Sequence, residues 1–534
     1  MSSIRAVTHG NQVRRLCLRQ IAETFTTQES PDVRSERYFE DHKWHEGMGR
    51  SSMRSGALLV AARLVNVIVQ VGSTILLARL LGPYDFGLVT MVLALTIFSP
   101  FLVDLGTTDA CSQKASITRQ EISTLFWLNI GMGTALTLVF AAASGLIASV
   151  FGEPALFEIA LVSSLTFVLT GFSVQHYALM RRAMEFDRIV TIDVGANVIA
   201  SVAAIIMALS GWGYWALAVK PLLTLLLTAV GAWISCPWVP GRPRVDGEVK
   251  RMVRFGLGVT GFTLTDNAAR SADRLALGYF FGAGTLGYFQ NAMLLYNNLL
   301  SLLTESLHNV AISALSRLRE DPAALKRSWA SALSLVTFVS TAAFAVLAVT
   351  GEDIIVILLG EKWAPAGPLL CILAVRGMAQ GVERTMGWLH VVAGRSDRWM
   401  RWGFISAALQ IVALAIGLPF GATGVAISYA VAMFVLFVPA LAYAGQPLGI
   451  GFKDVLAATV PQVVSGCIAT AAGYAFASVY LAEFSSFGRL VISAAVCCAA
   501  YLAVAVGVFR VTEPLRLALT LVQDLTARRR KPVG

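Results

Sequence analysis

Apolar runs of about 20 residues, each long enough to cross a bilayer as an α-helix, recur from residue 56 almost to the end of the chain. Only 14% of the residues are charged, whereas an ordinary soluble protein has about 25%. Helices of this kind satisfy their own backbone hydrogen bonds, which lipid cannot do for them. The sequence therefore predicts an all-α integral membrane protein.

The number of runs predicts about 14 transmembrane helices, arranged as two pseudo-symmetric six-helix bundles plus two C-terminal helices. The stretch 353–360 is apolar but too short to span, and it predicts a helix lying at the membrane surface. The predicted spans are 56–80, 86–109, 122–149, 155–180, 188–209, 213–235, 255–280, 285–312, 329–350, 367–392, 402–420, 423–444, 455–480 and 487–509.

Residues 54–87 recur as residues 254–287, without a gap, when the numbering is shifted by two hundred. Both copies predict a long apolar helix, a turn marked by glycines and a second apolar helix. This favours an ancient duplication, and two equal halves are typical of a membrane carrier with a cavity between two bundles. The matched pairs include Arg54 with Arg254, Gly56 with Gly256, Leu77 with Leu277, Gly82 with Gly282, and Gly87 with Gly287.

The repeat and the shifts in composition divide the chain into six predicted parts. The first is polar, carries charges of both signs and lacks the apolar core of a secretory signal. The parts are a disordered cytoplasmic N-terminal tail (1–53), an N-terminal six-helix bundle (54–236), a cytoplasmic linker (237–253), a C-terminal six-helix bundle (254–445), two accessory transmembrane helices (446–510) and a basic cytoplasmic tail (511–534).

Basic residues gather in alternate loops, starting with the loop after the second span. The opposite loops offer only Arg79, Lys362 and Arg489, all close to span ends. Basic loops face the cytoplasm, so the alternation predicts that both termini are cytoplasmic. The net charge of +10 has the same origin. The sequence has no basic patch interleaved with aromatic residues, so nucleic-acid binding is not indicated.

Ionisable residues near the bilayer centre cost about 2.5–3.5 kcal/mol on insertion scales, so they usually face a cavity or a partner. Spans one, seven and ten carry polar residues at spacings of three and four, which places each set on one helix face. We predict that they line a water-filled cavity and bind an anionic substrate, because guanidinium suits phosphate. The candidate substrate-binding residues are Arg63, Asn66, Gln70, Asp266, Arg270, Asp273, Arg274, Arg376, Gln380 and Glu383.

The same residues admit a structural interpretation, in which ion pairs lock helices together. Asp266 and Arg270 lie four apart and can pair on the surface of one helix, so both interpretations stay open for them. Arg63 has no acid at helix spacing, which favours the cavity. Arg384 is compatible with a side chain that snorkels to the interface.

Catalytic signatures are absent from the sequence: there is no Walker A motif, GxSxG, HExxH or cysteine–histidine signature. No two cysteines form a CxxC pair, so we expect neither a metal site nor a disulfide framework. We predict a protein that is not an enzyme and has no cofactor, with an ion gradient as the energy source left open. Tryptophans near span ends predict interfacial anchors, namely Trp127, Trp212, Trp215, Trp233, Trp238, Trp363 and Trp399.

Three segments resemble a known family. The run Leu77–Gly87 (LARLLGPYDFG) is similar to the first-loop signature of bacterial polysaccharide flippases, and Asp104–Gly106, followed by Gln113, is similar to the end of their second span. The segment Asp273–Asn291 resembles their seventh and eighth spans. Over about residues 54–510 the chain thus resembles the Wzx-type, WzxC-like branch of the polysaccharide transporter family. The leader 1–53 departs from that pattern.

The resemblance implies a flippase that moves an oligosaccharide repeat unit on undecaprenyl pyrophosphate from the inner to the outer leaflet of the bacterial inner membrane. It implies alternating access of spans 1–6 and 7–12, with arginines holding the pyrophosphate and sugar acids. Its products would enter exopolysaccharide, O-antigen or capsule synthesis, with a polysaccharide polymerase and a chain-length regulator as partners.

Other functions remain open at the level of sequence. A lipid II flippase and a multidrug extruder share the same frame, although an extruder of cations would favour acids over arginines. A polysaccharide polymerase or a lipid-dependent glycosyltransferase belongs to a different class. Those enzymes usually need a large external loop with catalytic residues, and the longest loop opposite the basic ones runs only from about residue 350 to 367.

Overall fold

The computed structural model describes residues 38–39, 48–114, 116–244, 247–481, 483–514 and 516. In these ranges the regular structure is helical, and fourteen crossings follow one another, which confirms the predicted number. Nine helical segments of the described chain have the length and composition to cross a membrane, and one of them, Ser396–Leu448, contains two crossings. Spans 1, 7 and 10, which hold every predicted site residue, are not among those nine. The chain is a multi-pass helical membrane protein.

Most of the helices run longer than the apolar cores that predict them, and span 1 begins eight residues before its predicted start. The spans of the N-terminal half are span 1 (Met48–Leu80), span 2 (Pro83–Thr96 and Ser99–Asp104), span 3 (Arg119–Phe151), span 4 (Ala155–Ser163 and Leu165–Arg182), span 5 (Phe186–Leu209) and span 6 (Trp215–Ser235). The later spans are 7 and 8 (one helix, Gly247–Arg317, kinked at Gly282), 9 (Pro322–Leu359), 10 (Ala366–Glu383 and Met386–Ala393), 11 (Ser396–Gly417), 12 (Gly421–Gly445), 13 (Phe452–Tyr480) and 14 (Ser486–Leu502, then Ala503–Val508 as a π-helix). The short helices are Thr107–Gln113, Glu361–Trp363, Leu418–Phe420 and Gln446–Leu448.

Polar side chains at helix starts satisfy backbone N–H groups that have no partner within the helix. The Thr118 hydroxyl accepts from the N–H of Glu121 at 3.2 Å, and the Glu121 carboxylate accepts from the N–H of Thr118 at 2.9 Å. This is a capping box, and it starts span 3. Asp321 accepts from the N–H groups of Ala323 and Ala324 at 3.1 and 3.0 Å and starts span 9.

The predicted surface helix at 353–360 is wrong, because this stretch is the end of span 9. The helix continues to Leu359, and Gly360, with φ of 100°, ends it. Glu352 and Asp353 interrupt the apolar run, which placed the predicted boundary too early. Asp353 is nevertheless buried, because Arg489 of span 14 donates to its carboxylate from Nε at 2.7 Å, with Nη2 at 2.5 Å. A partnered carboxylate can remain inside a packed helix end.

We expect Arg489→Gln to destabilise the protein by about 2 kcal/mol, since it leaves a buried carboxylate without its cation. The figure lies below that for a fully buried pair because 34% of the Arg489 side chain is exposed. The melting temperature of the detergent-purified protein reports the loss. The double variant Asp353→Asn with Arg489→Gln should melt above Arg489→Gln, and an equal or lower temperature would show that the ion pair does not cause the effect.

Spans 2 and 8 meet at the two copies of the glycine-marked turn. A Cβ atom added to Gly87 would lie 1.7 Å from the carbonyl oxygen of Ala283, and one added to Gly287 would lie 1.9 Å from that of Pro83. Backbones approach so closely only where no side chain stands between them. The contact is reciprocal, since a shift of two hundred carries 83 to 283 and 87 to 287. These four residues, here called the glycine seam, join the two halves and support the internal duplication.

A second set of contacts fastens the end of span 1 beside the glycine seam. Arg79 donates from Nε to the carbonyl oxygen of Leu358 at 3.0 Å. In return, Lys362 Nζ donates to the carbonyl oxygen of Arg79 at 2.9 Å, and Trp363 Nε1 donates to that of Ala78 at 2.8 Å. Span 1 is thereby bonded to the connection between spans 9 and 10, across the two halves.

Two of the predicted interfacial tryptophans are buried. Trp363 has no exposed surface and packs edge-to-face on Phe86, with 5.2 Å between the ring centroids. Trp238 is 2% exposed and packs on Phe126. The anchor prediction is wrong for both, because a position near a span end does not distinguish an indole that faces lipid from one that faces another helix.

The halves also touch at the other end of span 2. Gly106, which has φ of 67° and follows span 2, lies against Gly256 of span 7. A Cβ on Gly256 would lie 2.0 Å from the carbonyl oxygen of Leu105. The structure therefore holds the two halves together at both ends of span 2.

Candidate functional site

Arg376 of span 10 is buried between two tyrosine rings. Its side chain is 5% exposed, and the guanidinium carbon lies 5.0 Å from the ring centroid of Tyr429 and 5.8 Å from that of Tyr296. Within the described chain, Nε and Nη1 of Arg376 have no hydrogen-bond partner. Aromatic faces attract a cation without occupying its N–H donors. The arginine is thus held in place while two of its three nitrogens donate no hydrogen bond to the described part of the chain.

Polar groups from spans 7 and 8 surround this arginine. The Tyr296 hydroxyl donates to Oε1 of Gln380, which lies one turn beyond Arg376 on span 10. Asp273 of span 7 is 4% exposed, accepts from the backbone N–H of Arg274 at 2.7 Å, and lies within electrostatic range of Arg376. We call Arg376, Tyr296, Tyr429, Gln380 and Asp273 the arginine cluster.

A cavity opens next to the arginine cluster, inside the C-terminal half. Its volume is about 260 Å³, and its walls come from spans 8, 10, 11 and 12. Beside this cavity is a narrow cleft of about 10 Å³, which Arg376 and Tyr429 line. Glu383, Ser406 and Gln410 line both the cleft and the cavity. Such a cleft holds about one water molecule. This C-half cavity is lined by Thr304, Gln380, Glu383, Arg384, Thr385, Met386, Gly387, Trp388, Trp399, Ser406, Gln410 and Met433.

The predicted residues of span 1 face a different environment. Asn66 accepts from Nδ2 of Asn197, on span 5, at 3.0 Å. Two turns further along span 1, Ser73 accepts from Nζ of Lys220, on span 6, at 2.7 Å. Gln70 is exposed. The described part of the span 1 stripe therefore makes polar contacts within the N-terminal half and does not line the C-half cavity.

Three predicted residues have side chains outside the described part of the structure: Arg63, Asp266 and Arg270. Their helices are described, so Arg63 lies on span 1 and the other two on span 7. Arg274, next to the buried Asp273, is half-buried. The role of these four residues stays a prediction.

The structure brings Asp273, Arg376 and Gln380 into one cluster and adds Glu383 through the shared cavity. Sequence reasoning missed Tyr296 and Tyr429, because a tyrosine in an apolar helix gives no sign of what its ring faces. It also missed Ser406 and Gln410 of span 11. Their spacing of four was a usable signal, since it places both on one helix face, where Gln410 Nε2 donates to Ser406 Oγ at 3.3 Å.

The arginine cluster can bind an anion. A guanidinium offers a planar fork of N–H donors that matches phosphate and carboxylate oxygens. The low-dielectric surroundings strengthen the attraction between the guanidinium and a bound anion. Glu383 and Arg384 add one charge of each sign to the neighbouring cavity wall.

A protein-family model described as polysaccharide biosynthesis protein matches residues 76–368, more than half of the 534 residues. The chain belongs to this family. The segment that matches the polysaccharide biosynthesis family runs from the end of span 1 into the start of span 10, and it includes the glycine seam and Asp273. Membership confirms the family resemblance seen in the sequence.

Two similar proteins carry names from polysaccharide synthesis. The lipopolysaccharide biosynthesis protein WzxC of Escherichia coli (strain K12) is 27% identical over 363 residues, which are 66% of this chain and 72% of that protein. The succinoglycan biosynthesis transport protein ExoT of Rhizobium meliloti (strain 1021) is 22% identical over 347 residues, which are 64% of this chain and 69% of that protein.

A solved structure shares the fold. The lipid II flippase MurJ in an inward closed conformation superposes with a TM-score of 0.67, covering 85% of this chain and 99% of that chain at 15% identity. At this identity the likeness establishes the architecture and leaves the substrate to be decided on other grounds.

Proposed function

We propose that the chain is a flippase that moves undecaprenyl-pyrophosphate-linked oligosaccharide repeat units from the cytoplasmic to the periplasmic leaflet of the bacterial inner membrane. The products would serve exopolysaccharide, O-antigen or capsule synthesis. Family membership supports a role in polysaccharide synthesis, and the names of the two relatives support a transport step within it.

The observation that carries the proposal is the buried Arg376. An ionised group inside a membrane protein, away from a protein partner for its donors, is costly and usually functional. Its unused N–H groups suit the pyrophosphate of a lipid-linked glycan. The substrate would enter with its charge and leave with it, so the protein needs no catalytic group for this task.

Loop charge supports the proposed direction. The basic loops and both termini would lie in the cytoplasm, where the lipid-linked unit is made. The glycine seam and the contacts of Arg79 would then lie on the periplasmic side, at the opposite membrane face from Gly106. Alternating access requires each of these closures to open in turn while the other stays shut.

We also propose that an ion gradient drives transport and that the chain works with other proteins of polysaccharide synthesis. An ion gradient can bias the two conformations without ATP, for which the sequence has no Walker A motif. A polysaccharide polymerase would take the translocated unit, and a chain-length regulator would act with it. A resident cofactor is not needed for translocation.

The proposal is tested in cells that lack the chain. We expect undecaprenyl-linked oligosaccharide to accumulate facing the cytoplasm, because its synthesis continues while its translocation stops. Extraction of the lipids, followed by mass spectrometry and a leaflet-specific lectin assay, measures this. Cells carrying the unaltered chain on a plasmid are the control and should lose the accumulated lipid.

Two other results would contradict the proposal. Accumulation of lipid II would make the chain a lipid II flippase, as the solved structure that shares its fold is named. An unchanged lipid pool combined with heightened sensitivity to cationic drugs would indicate a multidrug extruder.

A further inference from the structure

We propose that the C-half cavity is the site that recognises the sugar part of the cargo, next to the anion site at Arg376. The inference rests on the proposed function and deepens it, because it divides one substrate between two neighbouring sites. Arg376 would hold the charged linkage, and the wall formed by Glu383, Ser406, Gln410 and Trp399 would hold a sugar ring.

The side chains of the cavity are those that a hydroxylated, uncharged ligand needs. Glu383 offers carboxylate oxygens, Gln410 offers an amide with both a donor and an acceptor, and Ser406 offers a hydroxyl. Sugar hydroxyls both donate and accept, so they can match such a mixed set. Sites that bind small polar molecules commonly combine a few placed polar groups with aromatic walls.

Indole rings supply an apolar surface on which the C–H face of a sugar ring can pack. Trp399 is 42% exposed, and its ring lies parallel to that of His390, with an interplanar angle of 6° and 6.1 Å between the centroids. Trp388 lines the same cavity and is 2% exposed. One indole of the cavity is thus accessible and has an imidazole ring parallel to it, an arrangement that favours a fixed ring orientation for stacking.

The charge and volume of the cavity argue against the other ligand classes. Glu383 and Arg384 place one charge of each sign on the wall, so the cavity has no net charge that would select a second phosphate or a cationic drug. A polyprenyl chain would leave the Gln410 amide and the Ser406 hydroxyl with only the 3.3 Å hydrogen bond that they make to each other, and their remaining donors and acceptors would be unmatched. The volume of about 260 Å³ is just below the range of ~300–1,000 Å³ for small-molecule sites, which suits a single sugar ring and not a whole repeat unit.

Binding of two probes to the full chain in lipid nanodiscs tests the inference. The first probe is the lipid-free oligosaccharide, released by mild acid from the lipid that accumulates in cells lacking the chain. The second is undecaprenyl pyrophosphate without sugar. We expect Gln410→Ala and Trp399→Ala each to weaken oligosaccharide binding by about tenfold, the loss expected for one good contact. Binding of undecaprenyl pyrophosphate to Trp399→Ala should change by less than about twofold, because Trp399 lines the cavity and not the cleft at Arg376.

Matched controls separate the cavity from general effects. The control for Trp399→Ala is Trp212→Ala, which removes an indole that is 59% exposed between spans 5 and 6. The control for Glu383→Gln is Glu320→Gln, which neutralises an exposed carboxylate between spans 8 and 9. Both controls should bind both probes normally. Retained binding of undecaprenyl pyrophosphate by the cavity variants shows that they are folded.

The outcomes distinguish failure of the inference from failure of the proposed function. If the pyrophosphate lipid binds, but the oligosaccharide does not bind or binds equally well to Gln410→Ala, Trp399→Ala and Glu383→Gln, the sugar site is rejected and the flippase proposal stands. If cells lacking the chain accumulate no lipid-linked oligosaccharide, the proposed function is rejected and the inference falls with it.

Discussion

Replacing Gly87 by leucine is expected to abolish export of the glycan, with a loss of at least about tenfold. A Cβ atom at this position would lie 1.7 Å from the carbonyl oxygen of Ala283, a backbone atom that cannot rotate away. Spans 2 and 8 would have to separate, and the glycine seam could not close. A carrier that cannot close one side no longer alternates between two states. Export is measured as surface polysaccharide in cells whose only copy carries the variant.

Labelling of a single cysteine reports the seam itself. In a background without the native cysteines, Ala283→Cys, at a site 2% exposed, should react slowly with an impermeant maleimide and faster when Gly87→Leu is added. Gly287→Leu should also increase the labelling rate. The double variant should label little faster than either single variant, because both substitutions separate the same contact. The control is Gly145→Leu on span 3, where a Cβ meets nothing within 4 Å. Slow labelling of Gly87→Leu would show that the seam still closes.

Arg376→Met is expected to reduce export by roughly 100-fold, since about 3 kcal/mol of charge-assisted hydrogen bonding to the cargo would be lost. The same variant should keep or raise the melting temperature. A buried guanidinium with two nitrogens unpartnered by the described chain costs desolvation energy that an apolar side chain of similar length does not. Export assays and melting curves on one set of variants measure both effects.

Further variants separate charge from geometry at this position. Arg376→Lys keeps the charge but not the planar fork, so export should fall between the two extremes. Arg327→Ala, at an exposed arginine of span 9, is the matched control and should export normally. A lower melting temperature of Arg376→Met, with export reduced only in proportion to the amount of folded protein, would make Arg376 a structural residue.

The spans were predictable because hydrophobic length alone sets them. Runs long enough for the bilayer core gave the number of crossings, and the shift of two hundred identified the turns that meet in the glycine seam. The ends of the spans were less predictable. Glu352 and Asp353 looked like a helix end, since nothing local reveals that Arg489, more than a hundred residues away, neutralises the buried Asp353.

The candidate site was predictable only in part, because a polar stripe shows which face of a helix is polar but not what that face meets. Arg376, Gln380 and Glu383 share a stripe and also share a site. Asn66 belongs to an equally good stripe, yet it bonds to Asn197 of its own half. The aromatic partners of Arg376 come from spans 8 and 12, and their positions depend on packing that no local pattern encodes.

The reciprocal contacts of the glycine seam bear on how the N-terminal and C-terminal halves came to carry different side chains. Residue 87 touches 283 while 287 touches 83, the pattern of the isologous interface between identical subunits. In a homodimer every change at such an interface is imposed on both partners. Here each copy is encoded separately, so the two copies can differ at equivalent positions. Pro83 is equivalent to Ala283 in the repeat, and Arg63 is equivalent to Thr263. Fusion of the halves keeps the symmetric glycine seam yet allows each half to acquire its own side chains, as a cargo with unlike ends requires.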